Sequence, residues 1–93
     1  MNTPTLETLV LRAAGGEEAA FAALVRAFQD MAYGYAHALL GDFHLARDAA
    51  QETFVEVYRH LGELRAPAAF PAWLCRIVRK HCDRLARRRA PVA

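Results

Sequence analysis

The sequence predicts an all-α fold, a compact four-helix domain in which a short first helix lies beside a three-helix core. Hydrophobic residues make up 55% of the chain, which is too high a share for a disordered protein. Alanine and leucine are abundant and strand formers are scarce, a composition that favours helix. Apolar residues also recur at the i, i+3, i+4, i+7 spacing of buried helical stripes. The 93 residues fit a single domain, residues 1–93, with an ordered core at about 5–89.

The first two predicted helices each stop at glycine. The first runs from about Leu6 to Ala14, with Thr5 suited to its N-cap and two glycines after it. The second runs from about Glu17 to Leu40 and ends at Gly41. Its predicted buried stripe comprises Phe21, Leu24, Val25, Phe28, Ala32, Tyr35 and Leu39.

The third helix is predicted from about Phe43 to Leu61, with Asp42 as its N-cap. A break follows from Gly62 to Pro67. The fourth helix runs from about Ala69 to Arg89, and Pro71 is tolerated because it lies in the first turn. The predicted core residues of these two helices are Ala46, Ala50, Phe54, Val57 and Leu61, then Phe70, Trp73, Leu74, Ile77, Val78, His81 and Leu85.

The net charge of +2 conceals two halves of opposite sign. Residues 1–64 carry four arginines and no lysine against nine acidic residues, a balance of −5. Residues 65–93 carry seven arginines and one lysine against Asp83 alone, a balance of +7. This division predicts two surfaces for two partners, one of them a polyanion.

Several classes of protein are disfavoured by the sequence. No apolar run reaches the roughly 20 residues that cross a membrane, and the N-terminus shows no signal-peptide pattern. Cys75 and Cys82 lie about 10 Å apart along a helix, too far for a disulfide. Reduced thiols indicate a cytoplasmic protein.

The residues of catalytic and metal sites do not assemble into a pattern. The four histidines are scattered, and His81 and Cys82 point about 100° apart on a helix, so they are poorly placed to share one metal ion. No nucleophile triad, paired-carboxylate pocket or phosphate-binding glycine loop is recognisable. The sequence therefore predicts binding without catalysis, cofactor or metal.

The polar side of the third helix carries a second stripe. It comprises Asp48, Gln51, Glu52, Val55 and Arg59. Acidic groups around an exposed Val could dock on a basic helical partner, whereas the alternative is an ordinary solvated helix face.

The fourth helix presents arginines and a lysine opposite its apolar face, and Arg65 lies in the preceding loop. Cations in this arrangement neutralise nucleic-acid phosphates. Phe70 and Trp73 lie beside the same loop, where an unstacked base could bind; the alternative is that both rings belong to the core.

Four segments of the chain form a further pattern: Phe21 to Val25, Gly41-Asp42, Ala46 to Phe54 with D-x-x-Q-E-x-F, and Phe70 to Val78 with F-x-x-W-L-x-R-I. Together they resemble region 2 of the extracytoplasmic-function sigma factors, a branch of the sigma-70 family of bacterial transcription initiation factors. The resemblance covers about residues 6–89. It implies a domain that binds core RNA polymerase and opens the −10 promoter element.

The resemblance also implies roles for individual residues. The stripe on the third helix would dock on the coiled coil of the polymerase β′ subunit, through positions Asp48, Gln51, Glu52, Val55 and Arg59. The loop and fourth helix would bind the non-template strand and capture a flipped base. The DNA-contacting positions would be Leu64, Arg65, Phe70, Trp73, Arg76, Arg79, Lys80, Arg84, Arg87 and Arg88. An anti-sigma factor is a further candidate partner.

The chain departs from the family pattern at the DNA-contacting positions. Leu64 stands where many members have an aromatic residue, and Lys80 where many have an asparagine. The His81-Cys82-Asp83 segment is also one residue shorter than the commonest family spacing before the final arginine-rich segment. The second sigma domain, region 4, is expected to be absent. Two alternative functions remain at this point: an interaction module without DNA-melting activity, and a generic helix-turn-helix protein, which the lack of a short inter-helix turn disfavours.

Overall fold

The computed structural model describes residues 4–89, except for the side chain of Arg89, and in this range the protein is helical without strands. The all-α prediction is confirmed. The helices are α1 (Leu6–Ala14), α2 (Glu18–Leu40), α3 (Phe43–His60) and α4 (Phe70–Arg89), with 3-10 turns at Leu61–Glu63 and Pro67–Ala69 between α3 and α4.

The helix ends carry the predicted caps. The Thr8 backbone N–H donates to Thr5 Oγ1 (3.1 Å), and the Leu45 N–H donates to Asp42 Oδ1 (2.9 Å). Each bond satisfies a donor that has no partner inside its helix. At the end of α2, Gly41 adopts a left-handed conformation (φ 67°) and donates its N–H to the His37 carbonyl. A residue with a side chain would be strained there.

Three boundaries differ by one residue from the predicted ones. Glu17 is the N-cap of α2 and not its first residue, and α3 gives way to a 3-10 turn at Leu61. Ala69 belongs to the second 3-10 turn, so α4 begins at Phe70. Pro71 then occupies the second position of α4, where its missing N–H leaves no intrahelical bond unmade.

The core consists of two clusters that differ in side-chain size. The first lies where α1 and the 3-10 turns cover the bundle and contains Val10, Leu24, Val57, Leu61, Phe70, Leu74 and Ile77. The second lies between α2, α3 and α4 and contains Ala32, Ala36, Leu40, Ala46, Ala49, Val78 and Cys82. Large side chains make up most of the first cluster, whereas four of the seven residues in the second are alanines, whose small side chains allow close helix packing.

One part of the predicted α2 stripe is wrong. Leu39 is 44% exposed and Tyr35 is only half-buried, whereas Ala36 and Leu40 are buried. The prediction favoured large apolar residues, but close packing of α2 on α3 selects the small residue at position 36. On α3, Thr53 is also buried, and its hydroxyl donates to the Ala49 carbonyl (2.7 Å), so the polar group is satisfied.

Candidate functional site

All five residues of the α3 stripe (Asp48, Gln51, Glu52, Val55 and Arg59) are exposed. Val55 leaves 47% of its surface in solvent, which is high for an aliphatic residue in the middle of a helix. Among the described residues, none of the charged groups of the stripe forms an ion pair. The charges of the stripe are therefore available to a partner.

An apolar groove of about 910 Å³ adjoins the stripe between α2 and α3. Its floor includes Phe21, Val25 and Phe54, and Tyr58 stands at one end with its ring 5.1 Å from that of Phe21. Gln51, Val55 and Arg59 line the groove as well as belonging to the stripe. Phe21 and Val25 belong to the predicted buried stripe of α2, so the α2 side of this surface is not predicted from the sequence. Their half-burial depends on the helix packing, which no periodicity reveals.

The loop between α3 and α4 is held by its apolar residues. Leu61 is buried, Leu64 is half-buried against the first core cluster, and Arg65 is exposed. His60 Nδ1 lies 2.5 Å from Glu63 Oε2 across the turn. The loop is thus anchored at Leu64, and Arg65 is its exposed cation.

Phe70 and Trp73, at the start of α4, have different environments. Phe70 has no exposed surface, and its ring packs edge-on to Phe28 with centroids 5.1 Å apart. Trp73 is half-buried, with its ring 6.1 Å from that of Phe70. The structure corrects the prediction that Phe70 contacts DNA, because a base cannot stack on a ring without exposed surface. Phe70 instead supports Trp73, which keeps one part in solvent.

The cations on the outer side of α4 form what we call the basic face, made of Arg76, Arg79, Lys80 and Arg87. All four are exposed, as is Arg88 beyond them. None of these arginines forms an ion pair with another described residue. Arg84 is different, since it is half-buried and its Nη2 donates to His81 Nδ1 (3.3 Å).

Lys80 is also different, because it is bound to α3. Its Nζ lies 2.5 Å from Glu56 Oε2, and His81 Nε2 lies 2.8 Å from Glu56 Oε1. The hydrogen bond from Lys80 lowers the pKa of the Glu56 carboxyl; burial opposes this shift, and the hydrogen bond from His81 adds to it. Glu56 is not among the site residues predicted from the sequence, because its partners on α4 are 24 and 25 positions away.

The stripe and the basic face meet at this contact. A cleft of about 230 Å³ is lined by Glu52, Val55, Glu56, Arg59, His60, Lys80 and His81. Three of these residues belong to the α3 stripe and one to the basic face, so the two surfaces are neighbours across the α3–α4 packing.

Cys75 and Cys82 are not joined by a disulfide. Cys82 is buried, and this burial raises the pKa of its thiol, with a smaller contribution from the charge of Asp83. Within residues 4–89, no cluster of three or more His, Cys, Asp or Glu side chains is arranged to hold a metal ion. In the same range no helix has both the length and the apolar character of a membrane span.

Comparisons with known proteins identify the family. A sequence model of the family described as Sigma-70 region 2 matches residues 24–91. The RNA polymerase sigma-H factor of Pseudomonas aeruginosa is 39% identical over 71 residues, covering 76% of this chain and 37% of that protein. The ECF RNA polymerase sigma factor SigE of Mycolicibacterium smegmatis is 37% identical over 82 residues, covering 85% of this chain and 32% of that protein.

A third relative is the ECF RNA polymerase sigma factor SigW of Bacillus subtilis, 36% identical over 62 residues, which cover 67% of this chain and 33% of that protein. The chain thus spans about a third of the length of these curated relatives. No solved structure gives a significant match. The family match includes α3, the following loop and α4, and two of these three relatives carry ECF in their names. The chain therefore belongs to the sigma-70 region 2 family.

Proposed function

We propose that this domain binds core RNA polymerase through α3 and helps to open the −10 promoter element by holding the non-template strand on α4. It does so by binding alone, with no catalytic step. The observation that carries the proposal is the pair of exposed charged surfaces on adjacent helices, one with free carboxylates and one with free guanidinium groups. Family membership supplies the two partners, since both surfaces lie inside the matched region.

The polymerase partner is the coiled coil of the β′ subunit, by analogy with the family. The α3 stripe offers Asp48 and Glu52 to basic groups of such a helix, and Gln51 offers an amide. Val55 and the neighbouring groove offer apolar area. Stable protein interfaces combine an apolar centre with a polar rim, and this surface has both.

The DNA partner is the non-template strand of the −10 element. Arg76, Arg79 and Arg87 are free to contact phosphates, which supply much of nucleic-acid affinity. Trp73 offers a partly exposed ring, and Leu64 and Arg65 lie in the loop that leads to it. Unstacking a base costs a few kcal/mol, which contacts in this region would have to offset.

The test measures the two activities separately on the same protein. Core polymerase is titrated with the labelled domain, and a fluorescent −10 non-template oligonucleotide is titrated in parallel against the domain alone and against the domain–polymerase complex. The expected result is saturable polymerase binding, with oligonucleotide affinity that exceeds that of a scrambled strand in the complex. Absence of polymerase binding by a folded domain would refute the docking role.

A second candidate is an interaction module that binds polymerase or an anti-sigma factor without melting DNA. The apolar groove beside the α3 stripe favours it, because the groove provides protein-binding area that a DNA strand does not need. The same titrations separate the two functions. Polymerase binding with equal affinity for the −10 and scrambled strands would favour the interaction module.

A further inference from the structure

Lys80 is the one cation of the basic face that is bound within the described part of the protein. Its ammonium lies 2.5 Å from a carboxylate oxygen of Glu56, while Arg76, Arg79 and Arg87 form no ion pair with described residues. The Lys80 side chain nevertheless remains 59% exposed. The ammonium is therefore at the edge of the surface that DNA would contact, yet it already has a counter-ion.

Glu56 is held in place from both sides. Its neighbour Val57 is fully buried and fixes this turn of α3 in the core, and the Glu56 side chain is only 24% exposed. His81 occupies the second carboxylate oxygen, at 2.8 Å. Because Arg84 donates to His81 Nδ1, the Nε2 position is left to donate to Glu56. If Lys80 leaves, the Glu56 carboxylate still has a hydrogen-bond donor.

We infer that Glu56 restrains Lys80 and thereby determines how strongly α4 binds single-stranded DNA. The carboxylate competes with DNA phosphate for one ammonium group, so a strand gains the Lys80 contact only by breaking the Glu56 pair. The inference rests on the proposed DNA-binding role of α4. It adds to that role a residue on α3 that sets affinity and salt dependence without itself touching the strand.

Two physical arguments indicate that Glu56 competes with DNA phosphate for Lys80, and that the ion pair does more than stabilise the fold. A carboxylate that is three-quarters buried is less screened by salt than a phosphate in solution, so it is an effective competitor. The remaining bond from His81 also means that releasing Lys80 does not leave an unpaired buried carboxylate, which would otherwise be costly. Exchange of Lys80 between Glu56 and a strand is therefore accessible.

The test is Glu56→Gln, which keeps the shape of the side chain and one acceptor oxygen for His81 but removes the charge and the second acceptor. Freed Lys80 should add one phosphate contact with the −10 oligonucleotide. For single strands, one contact steepens the slope of log affinity against log salt by about 0.7, which amounts to roughly five- to tenfold tighter binding at about 50 mM salt.

A double-mutant cycle identifies the route of the effect. In the parent, Lys80→Gln should change affinity less than twofold, because the ammonium is already engaged; in the Glu56→Gln background it should abolish the gain. Asp83→Asn is the matched control, since Asp83 is an exposed carboxylate between Arg79 and Arg87 that forms no ion pair with described residues. Its effect on affinity should be the same with and without Lys80.

Thermal melts accompany each titration. If Glu56→Gln does not fold, Glu56→Asp keeps the charge and retracts the carboxylate by one methylene, and it should give a smaller gain of the same kind. A folded Glu56 variant with parental affinity and slope, or a gain that persists without Lys80, overturns the inference while the DNA-binding role stands. If neither the parent nor any Glu56 variant binds the strand at low salt, both the role and the inference fail.

Discussion

The α3 stripe and the basic face of α4 are both exposed and charged, but they differ in what surrounds the charges. The α3 stripe borders an apolar groove shared with α2 and includes the exposed Val55. On α4 the guanidinium groups stand above a buried apolar face, and the half-buried Trp73 lies at the beginning of the helix. The first surface combines apolar area with charge, as protein interfaces do, whereas the second offers mainly charge, which suits a polyanion.

The two core clusters also differ in side-chain size. Large side chains, including Phe70, support the start of α4, whereas alanines of α2 and α3 predominate in the second cluster. Trp73 packs against the first cluster, with its ring beside that of Phe70. The comparison can be tested by changing each surface, or its support, by itself.

The largest effect is expected at the support of α4. Phe70→Ala should lower the free energy of unfolding by about 3–5 kcal/mol, because a fully buried ring is removed and a cavity is left. Denaturant unfolding of the two proteins measures this directly. A change below about 1 kcal/mol would mean that the first core cluster tolerates the loss of this ring, and that Trp73 has another support.

A charge reversal on the α3 stripe should give the next largest effect. Glu52→Arg is expected to weaken binding to core polymerase by on the order of 2 kcal/mol, roughly thirtyfold, since like charges would then meet in the docked complex. Binding of the −10 oligonucleotide to the isolated domain should not weaken. The matched control is Glu18→Arg, a reversal at an exposed first-turn position of α2 outside the groove.

Unchanged helicity must accompany the loss of affinity for the result to count. If Glu52→Arg binds polymerase like the parent, the α3 stripe is a solvated face and the contrast between the two surfaces disappears. If both reversals weaken binding equally, the effect is one of net charge and not of this surface.

Binding of DNA to the basic face should depend on salt more strongly than binding of a partner to the α3 stripe. Affinity for the −10 oligonucleotide is expected to fall as salt rises, and replacing Arg76 and Arg79 with alanine should reduce the slope of log affinity against log salt by about 1.4, or 0.7 for each lost phosphate contact. Fluorescence titrations at four salt concentrations give the slopes. A slope that the double variant leaves unchanged would remove these arginines from the strand-binding surface.

The parts of the molecule that could be predicted from sequence are those determined by local periodicity. The caps at Thr5 and Asp42, the stop at Gly41 and the buried position of His81 follow from patterns within a few residues, and the structure confirms them. Exposure of the α3 stripe was also predictable, because its residues lie opposite the apolar face.

What the sequence could not predict depends on how the helices pack. The pair between Glu56 and Lys80 joins residues 24 positions apart, and the groove exists only because α2 leaves Phe21 and Val25 half-buried beside α3. Phe70 was assigned to DNA because it lies beside the loop, but its ring faces Phe28 across the core. Periodicity indicates which side of a helix is apolar, not how deeply each ring on that side is covered.

The smallest effect is expected for a substitution at Trp73. Trp73→Phe keeps an aromatic ring against Phe70, so the free energy of unfolding should change by less than about 1.5 kcal/mol. The smaller ring should reach less far into solvent and lose part of its contact with a base. Removing a stacked aromatic side chain altogether costs about 1–3 kcal/mol, and a ring-for-ring exchange should cost less, so a loss of about three- to fivefold in strand affinity is expected.

Oligonucleotides substituted at each −10 position separate loss of one base contact from general weakening. If Trp73 contacts a captured base, the loss should be concentrated at one position, whereas an effect on packing alone would weaken every sequence equally. Lys80→Ala in the Glu56→Gln background provides the comparison, because Lys80 has lost its ion pair there. If Lys80 reads a base, the change should alter the preference at one position, whereas a uniform change would place Lys80 on phosphate alone. If the Trp73→Phe variant has the thermal stability and the strand affinity of the parent, the Trp73 ring is not part of the strand-binding surface. The surface of α4 would then act through charge alone, in contrast to the α3 stripe, which combines charge with apolar area.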